Sequence, residues 1–285
     1  MERDRAALLA ALAGIAGLAA CNALVAAPDD FTLRSPPAAC DGGCADSGPG
    51  ADSGPDAEGS TFGPDLSSPW SMLGGNPAHT SKASVKGSDL KRTDGGWVAK
   101  TGRLVAGPAI DHDGTAYFVT ASGVFSAITL KGKQPWSKSI GTASRCTPAL
   151  DASGAVYVTA KDAGLVAMTR GGDKRWSVPV GGLSHPVIGP EGSVYVIDAA
   201  GVHAVSPSGR EKWTYPLGAS VGARDEAVAI GEDGIIYAVR DGLHAISPDG
   251  ARLWRSDDGD ALSPPPIVAA GKVVVGSGTK VPVHG

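Results

Sequence analysis

From Trp97 onward the chain places tryptophan at 136, 176, 213 and 254, at gaps of 39, 40, 37 and 41 residues. Other residues keep the same phase. Glycine stands five after each of these tryptophans, at Gly102, Gly141, Gly181, Gly218 and Gly259. It stands four before the later ones, at Gly132, Gly172, Gly209 and Gly250, and alanine stands nine before them, at Ala127, Ala167, Ala204 and Ala245. A Gly-x-x-Tyr recurs as Gly114/Tyr117, Gly154/Tyr157, Gly192/Tyr195 and Gly234/Tyr237, with Gly271/Val274 as a further copy. A fixed period of roughly 40 residues means one supersecondary unit repeated, each unit burying its apolar faces against its neighbours.

Inside a unit the pattern is strand, turn, strand, turn. In the second, TPALD (147–151), AVYVTA (155–160), LVAMT (165–169) and KRWSVPV (174–180) are separated by Gly- and Asp-bearing turns. Such turns supply the positive φ that tight hairpins need. Gly is 41 of 285 residues and Pro 21, which suits many short strands and argues against a helical bundle. No window sustains a 3.6-residue apolar period. Val156-Tyr157-Val158 is apolar on both faces, as in a sheet covered on both sides. Four antiparallel strands every ~40 residues is the arithmetic of a propeller blade. The expected fold is all-β, a β-propeller of four-stranded antiparallel blades.

The pattern Ala-x4-Gly-x3-Trp after Gly-x-x-Tyr resembles the repeat of pyrroloquinoline-quinone-like (PQQ-like) propellers. The segment SPWSMLGGNPAHT (68–80) resembles the start of many such proteins. The resemblance runs from residue 68 to 285. It implies that Trp136, Trp176, Trp213 and Trp254, and less directly Trp97, pack between adjacent blades. It says little about activity, because function lies in sites rather than in folds.

Four full units end at Trp136, Trp176, Trp213 and Trp254, and a partial fifth begins at Asp260. The fifth has PPIVAA (265–270), KVVVGSG (272–278) and a candidate third strand in TKVPVHG (279–285), but no tryptophan strand. The segment around Trp97, LKRTDGGWVAK (90–100), has no earlier strands of its own. Two readings follow. Pairing the Trp97 strand with the last blade closes a five-bladed ring and removes both open edges. Otherwise the arc stays open, or the chain is truncated.

Before the repeats, Glu2-Arg3-Asp4-Arg5 leads into an uncharged stretch from Ala6 to Ala20, the apolar core of a secretory signal. It ends in Leu18-Ala19-Ala20-Cys21, which resembles the bacterial lipobox. That resemblance implies cleavage before Cys21 and lipid attachment there. A plain cleaved signal and an uncleaved anchor are the other readings. In the enterobacterial sorting pattern Asp after the cysteine favours the inner membrane. Asn22 therefore favours the outer membrane over the inner. Residues 1–20 read as a lipoprotein signal peptide, 21–66 as a tether and 67–285 as the PQQ-like repeat domain.

The net charge is -4, and residues 1–81 hold three basic and ten acidic residues. The acidity thus lies in the N-terminal part, and nothing points to nucleic acid. DSGPGADSGPDAEGS (46–60) buries too little to offset its own ordering entropy and reads as a disordered spacer. Its acids lack calcium-loop spacing. Cys40 and Cys44, in CDGGC, are candidates for a local disulfide outside the cytoplasm. Two thiols without further ligands do not make a structural zinc site.

Enzymes of the PQQ-like family commonly carry adjacent cysteines by the cofactor, and calcium held by Glu, Asn and Asp. This chain has no Cys-Cys pair. Cys146 reads as a packed thiol on a strand. His203 and His244 share a repeat position with Ser126 and Val166, and so read as tolerated strand histidines. His112 lies in the turn DHDG (111–114), and Lys174, Arg175 and Lys212 read as solvated edge charges. No nucleophile elbow, zinc-protease motif or Walker loop is present. No catalytic, cofactor-binding or metal residue is assigned, and no cofactor is expected. The expectation is a non-catalytic, lipid-anchored envelope propeller that scaffolds protein partners. Its nearest functional analogy is the propeller lipoprotein of the outer-membrane β-barrel assembly machinery. The alternatives are a small-ligand or quinone-binding envelope protein, and a truncated or degenerate propeller without its own activity.

Overall fold

The computed structural model describes residues 63–81, 99–142, 145–181, 184–218, 226–256, 262–269 and 271–277. Cys21, Cys40, Cys44 and Trp97 lie outside the described residues. So does the candidate strand 279–285, and with it the question of ring closure.

Among the described residues the chain forms four sheets of four antiparallel strands, each a simple meander, and a further two-stranded sheet. Blade 1 is β1 (Ala109–Ile110), β2 (Ala116–Val119), β3 (Val124–Ile128) and β4 (Trp136–Ser139). Blade 2 is β5 (Ala149–Leu150), β6 (Ala155–Ala160), β7 (Gly164–Thr169) and β8 (Lys174–Val178). Blade 3 is β9 (Val187–Ile188), β10 (Val194–Ile197), β11 (Gly201–Val205) and β12 (Glu211–Pro216). Blade 4 is β13 (Ala229–Ile230), β14 (Ile236–Val239), β15 (Leu243–Ile246) and β16 (Arg252–Arg255). The fifth unit contributes β17 (Leu262–Ala269) and β18 (Lys272–Ser277). The chain is a β-propeller of four-stranded antiparallel blades.

The middle strands are buried on both faces. Every residue of β6 is buried, and so is all of β7 except Thr169. The outer strand β8 is mostly exposed, so charged residues gather there. Register explains the repeat alanine. Tyr157 lies opposite Ala167, and Ala167 opposite Trp176. The same row is Tyr117–Ala127–Trp136, Tyr195–Ala204–Trp213 and Tyr237–Ala245–Trp254. Two large rings flank a methyl, with centroids 5.7 to 6.1 Å apart. A larger third-strand side chain would force the rings apart.

Candidate functional site

Adjacent blades are joined by an indole-on-glycine contact. Trp136 packs on Gly172, Trp176 on Gly209 and Trp213 on Gly250, each glycine lying in the last turn of the following blade. A Cβ on these glycines would stand 2.6 or 2.7 Å from the ring. Their φ values of 86 to 89° also favour glycine. Each indole Nε1 donates to a carbonyl of the same turn, to Arg170 at 2.7 Å, Pro207 at 2.8 Å and Pro248 at 2.9 Å. The rings of Trp176, Trp213 and Trp254 are half-buried, and that of Trp136 is buried. Gly132 occupies the matching turn of blade 1, with φ 74°.

Three of the repeat tyrosines end on carboxylates. Tyr117 donates to Asp111 at 3.0 Å and Tyr157 to Asp151 at 2.8 Å. Blades 3 and 4 have glycine there, Gly189 and Gly231, and the acid moves two residues along. Tyr195 donates to Glu191 at 2.5 Å. A Cβ on Gly189 would meet Glu191 at 2.8 Å, and one on Gly231 would meet Asp233 at 2.5 Å. The acid therefore fills the space the missing side chain leaves. Burial first, then the neighbouring acid, pushes the Tyr157 phenol far up, and Tyr237 up to about 12. The phenols stay protonated, and those of Tyr117, Tyr157 and Tyr195 donate. The signal was in the sequence as Asp-x-x-Gly exchanging with Gly-x-acid-Gly, and it was missed.

Among the described residues the first-strand edges of several blades are covered by the chain itself. Gly63–Ser81 runs along the short first strands of the blades and bonds to them through its backbone. The Ile110 amide donates to Trp70 at 2.8 Å, Leu150 to Ser71 at 2.8 Å, Ile230 to Pro77 at 2.8 Å and Val268 to Ala78 at 2.9 Å. Residues 63–66, assigned by composition to the tether, also join blade 2. Asp65 donates its amide to Leu150 at 3.1 Å, and Ala152 donates to Gly63 at 3.0 Å. Met72 is wholly buried in the largest apolar cluster. Among the described residues the one helical element is the 3-10 turn Leu73–Gly75 in this segment.

Two polar latches hold the segment. At one end the Arg170 guanidinium lies 2.6 Å from Asp65 and 3.3 Å from His112. Burial works against the Asp65 carboxylate, but bonds from Ser67, Ser68 and Arg170 outweigh it and lower its pKa. At the other end His79 Nδ1 donates to the Pro266 carbonyl at 3.1 Å, and its Nε2 is buried without a partner. Burial, opposed by that bond and aided by nearby His185, brings the His79 pKa down to about 4. His79 has φ 56°, and a Cβ on Gly74 would stand 2.6 Å from its Cα.

A further repeat position was not seen in the sequence. Cys146, Ser184 and Glu226 each stand three residues before their blade's first strand. Each reaches the end of the second strand of its own blade. Cys146 accepts from the Thr159 amide at 3.4 Å and Ser184 from Ile197 at 2.8 Å. Glu226 accepts from Arg240 through both carboxylate oxygens, at 3.2 and 2.8 Å. Cys146 is buried as expected, but it lies in the connection before β5 rather than on a strand. His203 bonds Asp198 and Glu211, each at 2.7 Å. His244 bonds Asp241 at 2.8 Å and Tyr215 at 3.1 Å. Both histidines are thus more than tolerated. His112 lies in its turn, and Lys174, Arg175 and Lys212 are exposed.

Among the described residues no cluster of three or more His, Cys, Asp or Glu is placed to hold a metal ion. Pyrroloquinoline quinone, which the fold family implies, is a planar polyacid. Among the described residues those along the first strands offer it no polar cradle, because Met72 is buried in the apolar cluster and the backbone of Gly63–Ser81 is bonded to Ile110, Leu150, Ile230 and Val268. Among the described residues no helix is long and apolar enough to cross a membrane.

Solved structures share the fold. The quinohemoprotein alcohol dehydrogenase from Comamonas testosteroni superposes at TM-score 0.53 and 17% identity, over 72% of this chain and 44% of that one. A europium-containing methanol dehydrogenase superposes at TM-score 0.52 and 14% identity, over 72% of this chain and 53% of that one. The chain thus spans about half the length of these dehydrogenases or less. BamB from Moraxella catarrhalis aligns at 16% identity and TM-score 0.36, over 60% of this chain and 71% of that one. No curated protein matches the chain. A family profile described as outer membrane protein assembly factor BamB matches residues 81–240 and 198–282, so the chain belongs to that PQQ-like propeller family.

Proposed function

We propose that the protein is a non-catalytic, lipid-anchored scaffold of the bacterial cell envelope, held at the outer membrane through Cys21 and binding protein partners of an envelope assembly machinery. Membership of the BamB family carries this reading. Bonds between blades support it: the Thr147 amide donates to His185 of the next blade, Arg240 donates to the Asp198 carbonyl of the blade before, and the backbone of Gly63–Ser81 bonds to several first strands. The acidic stretch 21–62 would tether the domain to the lipid, and Cys40 and Cys44 would close a small disulfide loop within it.

The test is affinity capture of the full-length protein from gently solubilised envelope, with Cys21→Ser as control and mass spectrometry as readout. The expected result is one outer-membrane assembly complex, recovered with the native chain and depleted with the variant. The same purified protein should take up no pyrroloquinoline quinone in the presence of calcium. Stoichiometric quinone uptake with dye-linked alcohol oxidation would overturn the scaffold reading.

A further inference from the structure

One position on the third strand decides how the wedge between a blade and its predecessor is filled. It holds Ser126, Val166, His203 and His244 in turn. Between blades 3 and 4, His244 meets Tyr215 edge-on, with centroids 5.7 Å apart. In blade 3, His203 is locked between Asp198 and Glu211 of its own blade. Between blades 1 and 2 both fillers are missing. Val166 stands in the place of His244, Lys138 in that of Tyr215 and Lys174 in that of Glu211.

The result is an open cavity of about 330 Å³. Ile140, Val166 and Met168 line it, with Lys138 and Lys174 and one carboxylate, Asp173. Both lysines are exposed, and among the described residues neither forms an ion pair. A volume of this size falls at the lower end of small-ligand sites, roughly 300–1,000 Å³. The apolar lining asks for a hydrocarbon body, and the two ammonium groups ask for an anionic head.

We propose that this wedge binds a small amphipathic anion, its apolar body against Ile140, Val166 and Met168 and a single carboxylate between Lys138 and Lys174. Asp173 limits the head to one negative charge, because a second would face it. The site is independent of the scaffold reading and lies at the blade edge, away from the first strands.

The probe is decanoate, titrated calorimetrically into the mature chain from residue 21 carrying Cys21→Ser, which has neither lipid nor signal segment, so that no detergent competes. The expected result is saturable one-site binding that weakens with added salt. Lys138→Gln with Lys174→Gln should weaken it roughly tenfold, and both sites are exposed, so the fold is kept. Lys138→Tyr with Val166→His copies the Tyr215–His244 pair and should abolish binding by filling the wedge. Octyl glucoside, with a neutral head, should bind at least about tenfold more weakly than decanoate. Absence of saturable decanoate binding overturns the proposal. So does binding of equal strength in the lysine variant, which decides the matter even if the filled variant does not fold.

Discussion

The indole of Trp176 lies against Gly209 of the next blade so closely that a Cβ on the glycine would stand 2.7 Å from the ring, while its Nε1 donates to Pro207 at 2.8 Å. The two residues form one joint, and the repeat spacing exists to make it. Gly209→Ala meets both the ring and a φ of 86°. It should cost about 2–5 kcal/mol, from overpacking and left-handed strain together. Trp176→Ala removes a half-buried ring and should cost about 2–4 kcal/mol. Urea unfolding of each single variant and of the pair checks the joint. Since the two lose the same contact, the double variant should cost less than the sum.

Asp151 is wholly buried and accepts from the Tyr157 hydroxyl at 2.8 Å and the Ala155 amide at 2.7 Å. Asp151→Ala strands both donors and should destabilise by about 2–4 kcal/mol. Blade 3 shows the remedy. Asp151→Gly with Ser153→Glu copies Gly189 and Glu191, and should recover most of that loss in thermal unfolding. A double variant as unstable as Asp151→Ala would show that the two arrangements are not interchangeable.

His79 sets a pH dependence. Its pKa falls from 6.5 in the open chain to about 4 in the folded protein. Between these values the unfolded chain binds the extra proton, so stability falls as pH drops from 6.5 to about 4 and is flat below. The full effect is roughly 3 kcal/mol. The titratable group that acts on the ring is His185, whose Nδ1 accepts from the Thr147 amide at 2.8 Å. His79→Asn keeps a residue that tolerates positive φ and removes the titration. The difference in stability between native and variant protein should therefore shrink as pH falls through this window. Parallel pH curves would contradict the assignment.

Asp65 and Arg170 clamp the start of the segment Gly63–Ser81. Asp65→Asn should weaken that end by about 1–3 kcal/mol, because it leaves a mostly buried guanidinium without its charge partner. Hydrogen exchange should then quicken at the Asp65 and Ala152 amides, whose acceptors are Leu150 and Gly63. The Ile230 amide, bonded to Pro77 at the other end, should keep its protection. Uniform loss of protection would mean that the segment opens as one unit.

The periodicity of Trp136, Trp176, Trp213 and Trp254 was enough to read the propeller, its strand count and its turns. Local chemistry repeated in phase leaves few other ways to bury the same rings. The phase also marked Gly172, Gly209 and Gly250, though not that each belongs to the tryptophan of the blade before. Pairings that join different units carry no local signature. Gly63–Ser81 lacks the repeat, so its place along the first strands followed only from the amides that Ile110, Leu150, Ile230 and Val268 turn towards it. The wedge at Val166 was invisible for the opposite reason. A position that accepts Ser, Val and His looks unconstrained along the chain. Only packing against the preceding blade shows that an imidazole closes the space and a valine leaves it open, because volume is conserved across an interface and not along a sequence.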